Sequence, residues 1–419
     1  MTTKRLRKRS DETAWTKAAP IVRDDAGRIA SNVANALAAL RHDPDLTGLF
    51  RFDQMQRAAV ITGPIPGSPH DYGPYPRRVE DYQVTPVQEH LQRSGLPRIG
   101  KDTIYQAVEA VGREESFHPV RDYLGSMKWD GERRLDELLT YYFGAEPSTY
   151  HHEIGLMFLV SMVKRIFEPG CQADYALVLE GPQGSGKSSA CKILGGAYFS
   201  DSLPTLRYGD KEPSAHLRGK WLIEIAELSA FKGADANALK SFISRREERF
   251  RPAFGRLEVC EPRQCVFIGT TNEKTYLSDP TGGRRFWPVV TGRIRLDELA
   301  RDRDQLFAEA LAHYTAGAQT YPDGDFEAKH IKPVQAARMD DDPWREDVEA
   351  YLSDRTSVLV GEVARDALKI DTPRLETRVQ RRITDVLTAI GWHKSEKAIN
   401  GYRPWLKHAR PQLRVVTST

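Results

Sequence analysis

Eight consecutive residues, Gly181-Pro182-Gln183-Gly184-Ser185-Gly186-Lys187-Ser188, fit the pattern G-x-x-x-x-G-K-S in full. Glycines let a backbone curl until several N–H groups face inward, and the start of the next helix adds its positive end, so such a loop cradles phosphates. Lys187 is then placed for the β- and γ-phosphates and the Ser188 hydroxyl for Mg²⁺, with Ser189 following on the same turn. A chain of average composition produces this match by chance on the order of once in 100. The expectation is a site for ATP, or a closely related nucleoside triphosphate, with Mg²⁺.

Hydrolysis needs an acidic residue at the end of a neighbouring strand to hold the metal and polarise water. Lys220-Trp221-Leu222-Ile223-Glu224-Ile225-Ala226-Glu227 supplies two. A carboxylate inside an apolar strand is costly unless it faces a cation, which makes Glu224, with Ser188, the metal-ligand candidate. Glu227 is the second catalytic carboxylate or a solvated loop residue, and the division of roles between the two stays open. Asn272, closing Gly269-Thr270-Thr271-Asn272, can act as a polar sensor of the γ-phosphate or simply as a turn former. Arg284 and Arg285, in Thr281-Gly282-Gly283-Arg284-Arg285-Phe286-Trp287-Pro288, suit an arginine finger. For at least one of them a surface ion pair is the competing assignment.

These residues need a scaffold of strands that end at one place. Ala176–Leu179, Trp221–Ile225 and Val266–Gly269 read as short buried strands separated by helical segments, which predicts an α/β fold with a parallel sheet. A helix is predicted over 151–167 and another over 26–44, with strands at 49–52 and 58–61. The stretch 62–77 is crowded with Gly and Pro and reads as a loop. Beyond 343, three helices followed by a two-stranded ribbon give the order of a winged helix-turn-helix, its third helix carrying Arg374, Arg378, Arg381 and Arg382. The domains expected are a basic flexible tail over 1–20, a small α+β domain over 21–110, a core over 111–335, and the winged-helix-like part over 343–410.

Of the 419 residues, 40% are hydrophobic and 28% charged, and the net charge is +3, so any basic surface must be local. Cys171, Cys191, Cys260 and Cys265 include no C-x-x-C pair, which predicts reduced thiols in a cytoplasmic protein and no zinc site. The longest apolar stretch is too short to cross a bilayer, and the basic N-terminus has no apolar segment behind it. His118, before Pro119, reads as a helix cap, and His151-His152 has no third ligand at metal spacing.

Taken in order, these motifs resemble the virulence-associated protein E family, phage- and genomic-island-encoded proteins related to superfamily 3 helicases. Phe117-His118-Pro119-Val120-Arg121-Asp122-Tyr123-Leu124 and Trp129-Asp130-Gly131 add to the likeness, which is close over roughly residues 110 to 320. The resemblance implies an AAA+/superfamily 3 helicase-like P-loop core and a ring, taken as a hexamer, with ATP between subunits and the finger arginine supplied by a neighbour. It also implies ATP-driven movement on single-stranded or forked DNA, in the 3′ to 5′ direction, with a primase or replication initiator in trans. The first hundred residues are poor in clustered carboxylates, so no primer synthesis is expected.

In such helicases the DNA-contacting element lies between the second and third motifs. Here that interval holds Lys240 and a hairpin pattern over 248–259, with Arg249, Arg251 and Arg256 to grip phosphates and Phe254 at the tip to stack on a base. Solvated charges at a subunit contact are the alternative. The favoured reading is an ATP-dependent DNA helicase or translocase in replication of a phage or mobile element. Its rivals are a nucleotide-switched DNA-binding or defence-related ATPase that never unwinds, and, well below it, a small-molecule kinase.

Overall fold

The structure is a computed structural model that describes residues 13–68, 73–206, 210–230, 234–253, 255, 257–277, 283–339, 342–371, 375–398 and 402–407. The chain divides into two compact units, Met1–Arg338 and Met339–Thr419. No helix among the described residues is long and apolar enough to cross a membrane.

The first unit contains a small sheet in the order β3-β2-β1-β4, built from β1 (Phe50–Asp53), β2 (Ala58–Ile61), β3 (Arg77–Arg78) and β4 (Ser116–Phe117). β1 and β2 are antiparallel with Phe50 opposite Ile61, while β4 lies parallel to β1. Helices Val33–His42, Asp81–Arg93 and Lys101–Glu114 bury Leu40, Leu91 and Ile104 with Phe50, Ile61 and Trp15. The helix predicted over 26–44 starts later than its apolar spacing indicates. The Asp24 carboxylate accepts the N–H groups of Ala26 and Arg28, and Gly27 takes a left-handed φ of 72°, so the chain turns before Asn32 caps the helix.

The larger sheet contains β5 (Ala176–Glu180), β6 (Phe199–Ser200), β7 (Leu222–Ile225), β10 (Val266–Thr271) and β11 (Phe286–Val290) in the order β11-β5-β10-β7-β6. Every neighbouring pair is parallel. Sequence patterning found β5, β7 and β10. It missed β6, which is two residues long, and β11, where Pro288 argues against a strand. β11 lies at the sheet edge, where a residue without an N–H is tolerated. Helices Thr149–Phe167 and Leu296–Thr315 pack on this sheet, with Ile154, Val163, Leu299 and Phe307 fully buried. Between β7 and β10 an antiparallel hairpin, β8 (Glu247–Phe250) and β9 (Val259–Pro262), forms its own small sheet.

The second unit follows the order helix Arg345–Leu352, β12 (Ser357–Val358), a helical segment over 360–367, helix Thr377–Ala389, β13 (Trp392–Lys394) and β14 (Trp405–Lys407). Its strands pair antiparallel as β12-β14-β13, so the predicted two-stranded ribbon has a third member. Val348, Leu352, Val363, Ile383, Leu387, Trp392 and Trp405 form its core.

Candidate nucleotide site

The connection leaving β5 runs to one side of the large sheet, toward β6, whereas the one leaving β10 crosses to β11 on the other side. β5 and β10 are neighbours, so their carboxyl ends flank a switch in winding direction, the place where parallel sheets open a crevice for ligands. The loop 181–186 leaves β5 at that point. Gly184 and Gly186 have φ of 77° and 92°, a conformation that L side chains resist, and the helix Lys187–Gly195 starts directly after. A Cβ on Gly181 would lie 2.6 Å from the Thr291 hydroxyl oxygen, so only glycine fits there. Pro182, Gln183 and Gly184 are exposed along the loop, Ser185 is half-buried, and Ser188 and Ser189 face out of the helix's first turn.

Lys187 is 7% exposed. Its Nζ donates to the carbonyl oxygens of Gly181 at 2.7 Å and Pro182 at 2.8 Å, and to Asn272 Oδ1 at 3.0 Å. Burial lowers its pKa, an effect opposed by the Glu224 carboxylate. Asn272 and Lys187 are 85 residues apart in sequence, and the parallel pairing of β10 with β5, with Thr271 opposite Glu180, brings them together.

Glu224 sits within β7 at 1% exposure. Its Oε1 accepts from Ser188 Oγ at 2.6 Å and from Thr270 Oγ1 at 2.7 Å, while its Oε2 is buried with no hydrogen-bond partner among the described residues. An unsatisfied carboxylate oxygen in the interior, next to a serine hydroxyl at a helix start, is the donor set a hard divalent cation takes. The residues therefore fit Mg²⁺. Glu227 is exposed and has φ of 50°, which for a non-glycine residue costs about 1–2 kcal/mol. Among the described residues its side chain makes no hydrogen bond. The structure thus brings Glu224, and not Glu227, to Ser188.

Sequence reading missed four participants. Thr270 shares the Glu224 oxygen, and Glu180, the last residue of β5, is held by Tyr276 and by Arg338. Thr270 stood in the quoted motif, where its position beside a buried acidic strand was the available signal. Nothing local marks Arg338.

Arg284 and Arg285 lie at the amino end of β11, since Phe286 pairs with Ala176 and Val290 with Glu180. The four steps from Ala176 to Glu180 alone span about 13 Å. They are therefore at the opposite end of the sheet from the loop 181–186 of their own chain. Arg285 Nε donates to Ser244 Oγ at 2.6 Å, whereas Arg284 is exposed and its side chain has no hydrogen bond among the described residues. Thr281 and Gly282 lie outside the described residues.

The predicted nucleic-acid contacts fare unevenly. The hairpin exists, and Arg249 and Arg251 are exposed on it. Arg249 pairs with Glu247 at 2.7 Å and Arg251 Nε donates to the Gly255 carbonyl at 2.6 Å. Phe254 and Arg256 lie outside the described residues. Lys240, expected to contact phosphates, is 7% exposed and lines a small apolar cavity with Leu228, Leu239 and Tyr276. On the helix Thr377–Ala389, Arg378 and Arg381 are exposed. Arg382 is engaged within its own unit, forking onto both oxygens of Asp342 at 2.8 and 2.9 Å and stacking 3.8 Å over Trp344. Arg374 lies outside the described residues. His118 caps the helix Pro119–Ser126, its Nδ1 accepting from the Arg121 N–H at 3.1 Å, as expected.

The sequence pattern of the virulence-associated protein E-like domain matches residues 124–340, just over half of the chain. No curated protein matches it. Similar solved structures include the A form apo structure of the NrS-1 C terminal region, at 12% identity and TM-score 0.42, covering 86% of this chain and 96% of that one. A second, the apo structure of the NrS-1 C terminal region (305-718), has 15% identity and TM-score 0.42, covering 85% and 95%. A third, the A form apo structure of that region, has 12% identity and TM-score 0.44, covering 86% and 96%.

Proposed function

The chain belongs to the virulence-associated protein E-like family, and from that premise we propose that it is an ATP-dependent DNA helicase or translocase serving replication of a phage or mobile element. One observation carries the reading. Ser188, Glu224, Lys187 and Asn272, from three separate segments, meet at the carboxyl ends of β5, β7 and β10, with one Glu224 oxygen left unsatisfied.

In this reading the 181–186 loop and the start of the helix Lys187–Gly195 hold the triphosphate through backbone N–H groups. Lys187 exchanges its carbonyl partners for phosphate oxygens. Ser188 and Glu224 hold Mg²⁺, which when bound neutralises charge on the β- and γ-phosphates. Asn272 orients the terminal phosphate and the attacking water. Glu227, exposed at the rim, accepts the water's proton. Arg284, too far from its own loop, serves the site of the next subunit in a ring, taken as a hexamer, and Arg285 braces the turn through Ser244. The P-loop core is joined to a winged-helix-like second unit. Arg249 and Arg251 on the hairpin and Arg378 and Arg381 on the basic helix offer charge to DNA phosphates.

Strand displacement on a tailed duplex, alongside ATP hydrolysis with and without single-stranded DNA, tests this. The wild type is expected to unwind, and Lys187→Ala to lose both activities. Hydrolysis stimulated by DNA without displacement reduces the reading to a translocase or switch. Hydrolysis indifferent to DNA overturns it.

A further inference from the structure

The phosphate loop and the Asn272 loop are both anchored on residue 338, where the first unit ends. Glu180 directly precedes Gly181 and is 6% exposed. Arg338 forks onto it, Nε to Oε1 at 2.9 Å and Nη2 to Oε2 at 2.9 Å, and the Tyr276 hydroxyl donates to Oε1 at 2.7 Å. The Arg338 carbonyl oxygen in turn accepts the N–H groups of Tyr276 and Leu277, both at 3.0 Å. Tyr276 and Leu277 are four and five residues beyond Asn272. One residue therefore holds the entry to the phosphate loop with its side chain and the exit of the Asn272 loop with its backbone. Burial, reinforced by the Glu180 charge, pushes the Tyr276 hydroxyl well above its usual pKa, so it stays a donor.

A fork of this kind fixes direction as well as distance, because the guanidinium and carboxylate planes must align. Among the described residues two further ties join these loops near the site, the Gly181 N–H to the Thr271 carbonyl at 3.2 Å, which holds only the strand end, and Lys187 to Asn272, which must be released or shift when Lys187 serves a phosphate. We infer that Arg338 is a positioning residue for the proposed hydrolysis, keeping Asn272 in register with the phosphate loop while Lys187 changes partners. The inference rests on the reading of the site as an ATPase. It places a determinant of the chemical step where the chain leaves for the second unit.

The test is steady-state ATP hydrolysis by the full chain. Comparison is made among wild type, Arg338→Ala, Arg338→Lys, Tyr276→Phe and a control, Ser161→Ala, which removes a buried hydroxyl bonded to the Met157 carbonyl away from the site. A misplacement of about 1 Å among reacting groups lowers rate by about 100-fold. Arg338→Ala is expected to lower kcat by about that factor with KM for ATP nearly unchanged. Arg338→Lys, which keeps the charge and loses the fork, and Tyr276→Phe are expected to fall between. Ser161→Ala is expected to lose stability and keep kcat. Should Arg338→Ala not fold, the two conservative variants decide. A kcat unaffected in Arg338→Lys and Tyr276→Phe, or a rise in KM alone, overturns the inference while leaving the ATPase reading intact. A wild type that binds nucleotide and never hydrolyses it overturns the parent reading and this one together.

Discussion

Replacing Glu224 with glutamine separates a metal ligand from a structural carboxylate. The amide keeps an oxygen where Oε1 accepts from Ser188 and Thr270, and puts a neutral NH₂ where Oε2 is buried without a partner. An unsatisfied buried group costs about 1–3 kcal/mol, more when charged, so removing the charge should leave the ligand-free protein as stable or more stable. Metal-dependent binding should disappear. For the wild type, MgATP at about 100 times its Kd adds about 2.7 kcal/mol. The unit that holds the site, Met1–Arg338, has an unfolding entropy of about 0.7 kcal/mol/K, so Tm should rise by about 4 °C. Thermal scans with ATP alone, Mg²⁺ alone and both together read the increment due to the metal. Glu224→Gln should give the same small response to ATP with and without Mg²⁺. Two results refute the reasoning. One is a metal-dependent increment equal to that of the wild type. The other is a ligand-free loss of about 3 kcal/mol, the cost of breaking a buried ion pair, which would make Glu224 the structural partner of Lys187.

The arginine assignment is checked by mixing Arg284→Ala subunits with Lys187→Ala subunits, each inactive alone. If the arginine acts on a neighbour, roughly a quarter of interfaces in randomly mixed closed rings combine the intact halves and hydrolysis returns, whereas action within one chain gives none. In the second unit, Arg382→Ala should lower stability by about 1 kcal/mol, since its fork onto Asp342 is partly exposed and screened, and chemical denaturation measures it. Arg378→Ala and Arg381→Ala should leave stability within about 0.5 kcal/mol. Each should also weaken duplex binding evenly across sequences and reduce the salt slope by about one.

What the sequence made legible is what lies in short contiguous runs. The phosphate loop is eight adjacent residues with a chemical reason at each. β5, β7 and β10 are apolar runs bounded by breakers, and Glu224 stands out because a carboxylate interrupts one of them. The hairpin β8–β9 shows through its alternation, with Glu248 and Phe250 buried and Glu247 and Arg249 exposed. Contacts across long separations left no such mark. Glu180 and Arg338 are 158 residues apart, and Arg382 and Asp342 are 40 apart, so a basic helix read as a DNA face carries one arginine that is paired within its own unit. Lys240 was misplaced for a related reason. Lysine in an amphipathic helix is normally solvated, and here the fold buries it beside Leu228, Leu239 and Tyr276.

The topology of the large sheet bears on the arginines in a way no motif could. In a parallel sheet all carboxyl ends lie on one side, and a turn that leads into a strand lies on the other. Asn272 follows β10 and therefore arrives beside Lys187, while Arg284 and Arg285 precede β11 and therefore cannot. Any chemistry that requires both an arginine from this turn and the phosphate loop must draw them from two chains. On the proposed reading, the described residues of one chain bring candidate metal ligands, a lysine and an amide to the loop 181–186, while Arg284 and Arg285 stand at the other end of the sheet. The ring proposed above would use that separation, because in a closed assembly every copy can offer its arginine turn to a neighbour's loop.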